Sequence, residues 1–123
     1  MFLVIDNSVD SELKLSIFLN TKWVHKILYF SRTGLLESIK NFLESYQKNW
    51  IDLKGVAVVV GKGRFTATRV ATTIANALAM SLHIPVLTID EFNVDLSTKL
   101  SQAKAGIYVS ALYSAPANIG IKK

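Results

Sequence analysis

The segment Gly61-Lys62-Gly63-Arg64-Phe65-Thr66-Ala67-Thr68-Arg69 is the part of this chain best suited to meet a charged ligand. Two glycines one residue apart let the backbone turn sharply and expose its N–H groups. A helix starting at Thr66 adds further unpaired N–H groups and the positive end of its dipole. Thr66 has the right side chain for the N-cap. Arg69 then falls in the first turn, where a cation is unfavourable unless an anion lies close. Two standard phosphate loops are excluded. The P-loop ends on Gly followed by Lys and a hydroxyl, which this segment lacks. The dinucleotide fingerprint needs a third glycine where Thr66 stands. Taken alone, the segment reads as a tight strand-to-helix connection with incidental basic residues.

Other reactive groups are sparse. There is no cysteine, so disulfides, thiolate metal sites and a cysteine nucleophile are excluded. His25 and His83 are the only histidines, and no His-x-x-x-His spacing exists to hold a metal. His83 suits a helix C-terminus or the surface, and His25 a structural place in a strand. A two-metal nuclease needs several carboxylates converging on one point. Asp6 could supply one, but Asp90 ends a strand expected one position too far away. Glu37 and Glu44 fall on the solvated face of a helix. A sugar-kinase-like phosphotransferase is disfavoured as well, because Asp6-Asn7-Ser8 lacks a glycine for close phosphate approach. No metal or cofactor is expected.

The net charge is +5, and its distribution says more than its total. No Asp or Glu occurs between Leu53 and Ile89, while Lys54, Lys62, Arg64 and Arg69 all lie in that stretch. Such a field favours anionic partners such as phosphate or RNA. On charge alone, a basic surface without a partner is the plainer reading. Half of the residues are apolar, enough for one domain with a real core. The start, MFLVIDNSVD, reads as a strand and not as a signal peptide. The longest apolar run, 56–60, is far short of the roughly 20 residues that span a bilayer. The expectation is a soluble cytoplasmic protein.

The elements that must position these residues follow from periodicity. Residues 2–6 form an apolar run, and 13–19 alternate with Leu13, Leu15, Ile17 and Leu19 on one face. Asn20 and Thr21 make a two-residue turn into a third strand over 22–30. Over 34–48 the period changes, with Leu35, Leu36, Ile39, Phe42, Leu43, Tyr46 and Trp50 marking the buried stripe of a helix. Residues 56–60 suit a parallel strand buried on both faces. A helix over 66–82, a strand over 85–89 and a weaker helix over 90–100 capped by Asp90 come next. A late strand over 107–113 and a turn over 115–118 close the chain. Right-handed crossovers place the fourth and fifth strands parallel to the first. The expected fold is α/β, a ribonuclease H-like (actin-type ATPase) half-domain. Its mixed five-stranded sheet has the order 3-2-1-4-5, with helices packed on it.

Several motifs then resemble the TsaB (YeaZ) family, a subunit of the machinery that makes threonylcarbamoyladenosine in tRNA. Ile5-Asp6-Asn7-Ser8 resembles the family's opening Ile-Asp-Thr-Ser. Gly61, Gly63, Phe65, Thr66 and Arg69 match its hallmark Gly-Pro-Gly-Ser-Phe-Thr-Gly-Leu-Arg, while Lys62, Arg64 and Ala67 depart from it. Leu82-His83-Ile84-Pro85 corresponds to Leu-Gly-Ile-Pro, and Asp90 to Phe92 stand where the family often has Ser-Leu-Glu. Gly106 to Tyr113 look like the strand that opens the family's second lobe. The chain is roughly half the usual family length. The resemblance implies residues 1–104 as the ribonuclease H-like lobe and 105–123 as a remnant strand or hairpin of the second. It implies a non-catalytic scaffold that binds a TsaD-like catalytic subunit through its first two helices as a four-helix bundle. A TsaE-like ATPase as further partner, a homodimer when alone and indirect contact with tRNA belong to the same picture.

The second helix gives a separate reason to expect an interface. Val70, Ile74, Ala77, Leu78 and Leu82 form one apolar face, and Ala67, Ala71, Ala75 and Ala79 a small-residue row beside it. The combined arc exceeds the roughly 100° that one sheet contact needs. Small residues let another helix approach closely. The expected partner interface is therefore Ala67, Ala71, Ala75 and Ala79, with Ile39 and Phe42 of the first helix, and the row is expected to point away from the sheet. Alanine as a plain helix former is the bland alternative. Two rival functions stay open: a degenerate actin-type ATPase-fold domain acting as a nucleotide-binding or self-associating regulator, and a metal-dependent nuclease.

Overall fold

Alternation in the first third of the chain folds into an antiparallel meander of β1 (Phe2–Asp6), β2 (Glu12–Leu19) and β3 (Lys22–Tyr29). The computed structural model describes residues 1–7, 12–29, 34–60, 65–90, 92–93 and 95–106, with backbone alone at 29 and 65–68. The β2–β3 connection is the expected two-residue turn, with φ of 47° at Asn20 and 71° at Thr21. Positive φ at both central positions matches the twist of a hairpin. Asparagine tolerates that conformation, whereas β-branched Thr21 holds it under strain.

β4 (Gly55–Val59) and β5 (Val86–Ile89) add in parallel beside β1, giving the order β3-β2-β1-β4-β5. This is the order expected from the sequence. Every residue of β4 is buried, as a central parallel strand requires. α1 (Leu35–Glu44) and α2 (Phe65–Leu82) share one hydrophobic cluster with Leu3, Ile5, Leu15, Ile17, Val56 and Val58. On the opposite face, Val4, Ala57 and Val59 pack with Leu96 and Leu100 of α3 (Leu96–Gln102). The sheet is thus the middle of three layers. Each large aliphatic side chain sealed this way contributes about 1.5–3 kcal/mol.

Three boundaries differ from expectation. α1 stops at Glu44 because Gln47 turns left-handed, at φ 60°. Lys48 N–H then reaches back to Leu43 O and Gln47 N–H to Glu44 O, both at 2.9 Å. This Schellman pair closes the helix. The buried stripe is correspondingly narrow, and Leu36 remains 50% exposed. The third helix does not begin at Asp90, which is a bend after β5. Asp95 N–H donates to Asn93 Oδ1 at 2.8 Å, a local turn that delays the helix to Leu96. α2 begins at Phe65, so Thr66 lies inside the first turn and not at the cap. The strand expected over 107–113, the turn over 115–118 and most of the expected second-lobe remnant lie outside the described residues.

Candidate partner-docking face

α2 meets the sheet through Ala71, Ala75 and Ala79. Ala71 and Ala75 are fully buried and Ala79 nearly so, within the same cluster as Val56, Val58 and Val60 of the fourth strand and its continuation. The expectation that the row points away from the sheet is corrected by that burial at Ala71, Ala75 and Ala79, while the Ala67 side chain lies outside what is described. Ile39 and Phe42, expected at the same interface, are also sealed in the chain's own core. The physical reason is complementary size. The β-branched side chains of β4 fill the space between the layers, so the helix above them needs small residues to sit close. The close-approach argument was sound, but the neighbour that approaches is the sheet.

The opposite half of the helix is left uncovered. Val70 is 45% and Met80 58% exposed, with Thr73 and Ala77 exposed and Ile74 half-buried between them. Spacings of three and four put these residues on one stripe. Arg69, Val70, Thr73 and Ile74 line a groove of about 380 Å³. Leu36 adds an exposed apolar side chain on α1, which packs on the same side of the sheet. The sequence signal was present in the over-wide apolar arc, although it did not say which half the sheet would take.

The glycine-loop motif is only partly visible. Gly61 and Gly63 lie outside the described residues, and Phe65, Thr66 and Ala67 are seen as helix backbone. Arg69 is exposed at the groove. His83 ends α2 with φ 55°, and Ile84 N–H donates to Ala79 O at 3.1 Å. This is the left-handed C-terminal cap expected of it, at the position where the resembling family has glycine.

The remaining polar groups form two further places. Ser16, buried, and His25 on the neighbouring strand share a hydrogen bond of 2.6 Å between Oγ and Nδ1. A serine–histidine contact invites a nucleophile reading, but Ser16 is sealed from any substrate carbonyl. Phe92 packs edge-on against both His25 and Trp23, with ring centroids 5.1 Å apart in each case. Burial, and then Lys14, hold the His25 pKa below its ordinary value. A cleft of about 490 Å³ opens at the carboxyl ends of the parallel strands, lined by Val60, Thr88, Ile89, Asp90, Asn93, Leu96 and Lys99. Asp6 ends β1 and Asp90 follows β5, and β4 lies between those strands. No group of three His, Cys, Asp or Glu that could hold a metal ion occurs among the described residues. No described helix is long and apolar enough to cross a membrane.

Sheet order and helix placement define a half-domain of the ribonuclease H-like, actin-type ATPase fold. The chain belongs to the family of TsaD, tRNA N6-adenosine threonylcarbamoyltransferase, whose model matches residues 31–115. The resemblance to TsaB read from the motifs is borne out. The chain is 35% identical over 57 residues to the tRNA threonylcarbamoyladenosine biosynthesis protein TsaB of Buchnera aphidicola subsp. Acyrthosiphon pisum (strain APS). That match spans 46% of this chain and 26% of the relative. YeaZ from Pseudomonas aeruginosa superimposes with a TM-score of 0.65 at 21% identity, over 73% of this chain and 44% of its own. A second structure, of an uncharacterized protein with similarity to peptidase YEAZ from Pseudomonas aeruginosa, also gives 0.65, at 19% identity over 82% of this chain and 48% of its own. At such identities the two structures bear on the fold alone. The chain spans less than half the length of each of these three relatives.

Proposed function

We propose that this chain is a non-catalytic scaffold in tRNA threonylcarbamoyladenosine biosynthesis, docking a TsaD-like catalytic subunit on the exposed face of α2. The observation that carries this reading is the uncovered apolar stripe of Val70, Ile74, Ala77 and Met80 on a helix whose other side is fully used by the sheet. Family membership supplies the occupant, since a paralogue of the same fold would present a matching pair of helices. Leu36 of α1 extends the contact. Two helices from each chain would then pack by their ridges and grooves as a four-helix layer. In the absence of that partner the same stripe meets a second copy, which gives an isologous dimer. A cytoplasmic location goes with this role.

The scaffold contributes position and not chemistry. Asp6 and Asp90 are kept apart by β4, and Ser16 is closed off beneath His25. The rival regulator would bind nucleotide without any partner. Size-exclusion chromatography with light scattering of the chain mixed with a TsaD-like subunit tests the reading, with calorimetric titration of ATP into the chain alone as the second arm. A heteromeric complex and no ATP heat are expected. A chain that binds ATP but forms no complex would overturn the proposal in favour of the regulator.

A further inference from the structure

Sulfur chemistry in this chain is confined to thioethers, because it has two methionines and no cysteine. Met1 is half-buried and packs against the core cluster of the first sheet face. Met80 lies in the last turn of α2 and is 58% exposed. Of the large apolar side chains described on that helix, only Val70 and Met80 are exposed, so Met80 supplies most of the apolar surface at the carboxyl-terminal end of the stripe. Leu78 and Ala79, immediately before it, are turned into the core. They anchor that turn to the sheet whatever happens at the Met80 sulfur. A polarizable thioether on a flexible, unbranched stem suits an apolar contact that must adapt to its partner. The same exposure leaves the sulfur open to oxidants in solution, with no thiolate in the chain to react first.

We propose that Met80 is a reversible oxidation site through which hydroperoxides control docking on α2. In the free chain a lone pair of the Met80 sulfur attacks the terminal peroxide oxygen. The S–O bond forms as the O–O bond breaks. The sulfur loses two electrons to the peroxide, and the departing oxygen keeps the proton and leaves as water or an alcohol. The product is a sulfoxide, a polar group with a strong acceptor oxygen. In water that oxygen is hydrated and costs the fold nothing, since the side chain does not help to seal the core. Pressed into an apolar helix contact it loses its water and finds no donor on the exposed neighbours Val70 and Ala77. Oxidation therefore opposes assembly and leaves the chain folded. The converse also holds: a docked partner covers the sulfur and shields it. Reduction by a dithiol, through methionine sulfoxide reductases, returns the thioether and releases the oxygen as water. Met80 acts here through the docking contact proposed above, and its effect depends on that contact.

The test treats the whole chain with hydrogen peroxide, removes the peroxide, and measures binding of an untreated TsaD-like subunit by biolayer interferometry. Peptide mass spectrometry locates the added oxygen, and circular dichroism checks the fold. Oxygen is expected on Met80 ahead of Met1, and the oxidised, folded chain is expected to bind about tenfold more weakly or worse. Methionine sulfoxide reductases of both stereospecificities, with dithiothreitol, are expected to restore the affinity. Met80→Leu removes the reactive sulfur, and each protein is compared with its own untreated sample. Peroxide is expected to change the affinity of that variant by less than about twofold. Binding the partner before the peroxide is added is expected to slow oxidation of Met80. Unchanged affinity in a chain oxidised at Met80, an equal loss in Met80→Leu, a Met80 that resists peroxide, or an oxidised chain that unfolds would each overturn the proposal while the docking reading stands. An untreated wild type that does not bind the subunit would remove the docking reading, and this inference with it.

Discussion

Thr21 sits at φ 71° with a branched side chain, in a turn whose partner Asn20 already favours that region. Its left-handed conformation costs on the order of 1–2 kcal/mol for an L-residue, and glycine removes the steric part. Thr21→Gly is therefore expected to raise the free energy of unfolding by about 1 kcal/mol, read by urea denaturation. A lower midpoint in the variant would contradict the turn geometry. His25 makes a second prediction at this scale. Burial and Lys14 lower its folded pKa below the ordinary 6.5. Between those two values the unfolded chain binds more protons than the folded one, so stability is full above about 6.5 and falls as the pH drops through that window. Because the ring is largely exposed, the effect is small. His25→Gln should flatten the decline in urea midpoint between neutral and mildly acidic pH. An unchanged slope would show that His25 titrates alike in both states. The turn at Asn20-Thr21 and the cap at His83 were legible because each is a local pattern of a few residues. The Ser16–His25–Phe92 cluster was not, since its members come from β2, β3 and the loop after β5, and only register brings them together.

α2 shows how far an element can be read from its own sequence. Its length, its amphipathic character and its excess apolar arc all follow from spacing. Its rotation about its own axis does not, because that depends on the valines of β4 that it covers. Alanine over valine is the pairing that fits the layer, so the small row turned inward and Val70 and Met80 turned out. The reversal changes what substitutions do. Ala75→Arg is expected to unfold the chain or to cost at least about 3 kcal/mol, since it forces a cation into a closed core. Ala77→Arg, on the exposed stripe, should fold with a stability within about 0.5 kcal/mol of wild type. Far-ultraviolet circular dichroism with urea titration separates the two. A well-folded Ala75→Arg would return the alanine row to the surface. α3 was placed too early because two leucines and polar neighbours give little periodicity. Its start is set by the turn at Asn93, which no apolar pattern announces.

At the scale of the whole molecule, strand order was legible because β-branched runs, helix spacing and crossover handedness leave few topologies. The proposed docking surface was half legible: the sequence pointed to an uncovered face on α2, and the structure leaves the other side of the helix exposed. The central claim, docking through Val70, Ile74, Ala77 and Met80, is tested most directly by the affinity of a TsaD-like subunit for the wild type and for Val70→Glu with Met80→Glu. Biolayer interferometry on the immobilised chain gives the constant, and circular dichroism checks that the variant keeps its fold. Two charges placed in an apolar helix contact are expected to weaken binding by about a hundredfold or more while leaving the fold intact. Lys22→Glu with Lys26→Glu on β3 should leave that affinity within about threefold of wild type. A folded Val70→Glu, Met80→Glu variant that binds its partner as tightly as the wild type would contradict the account.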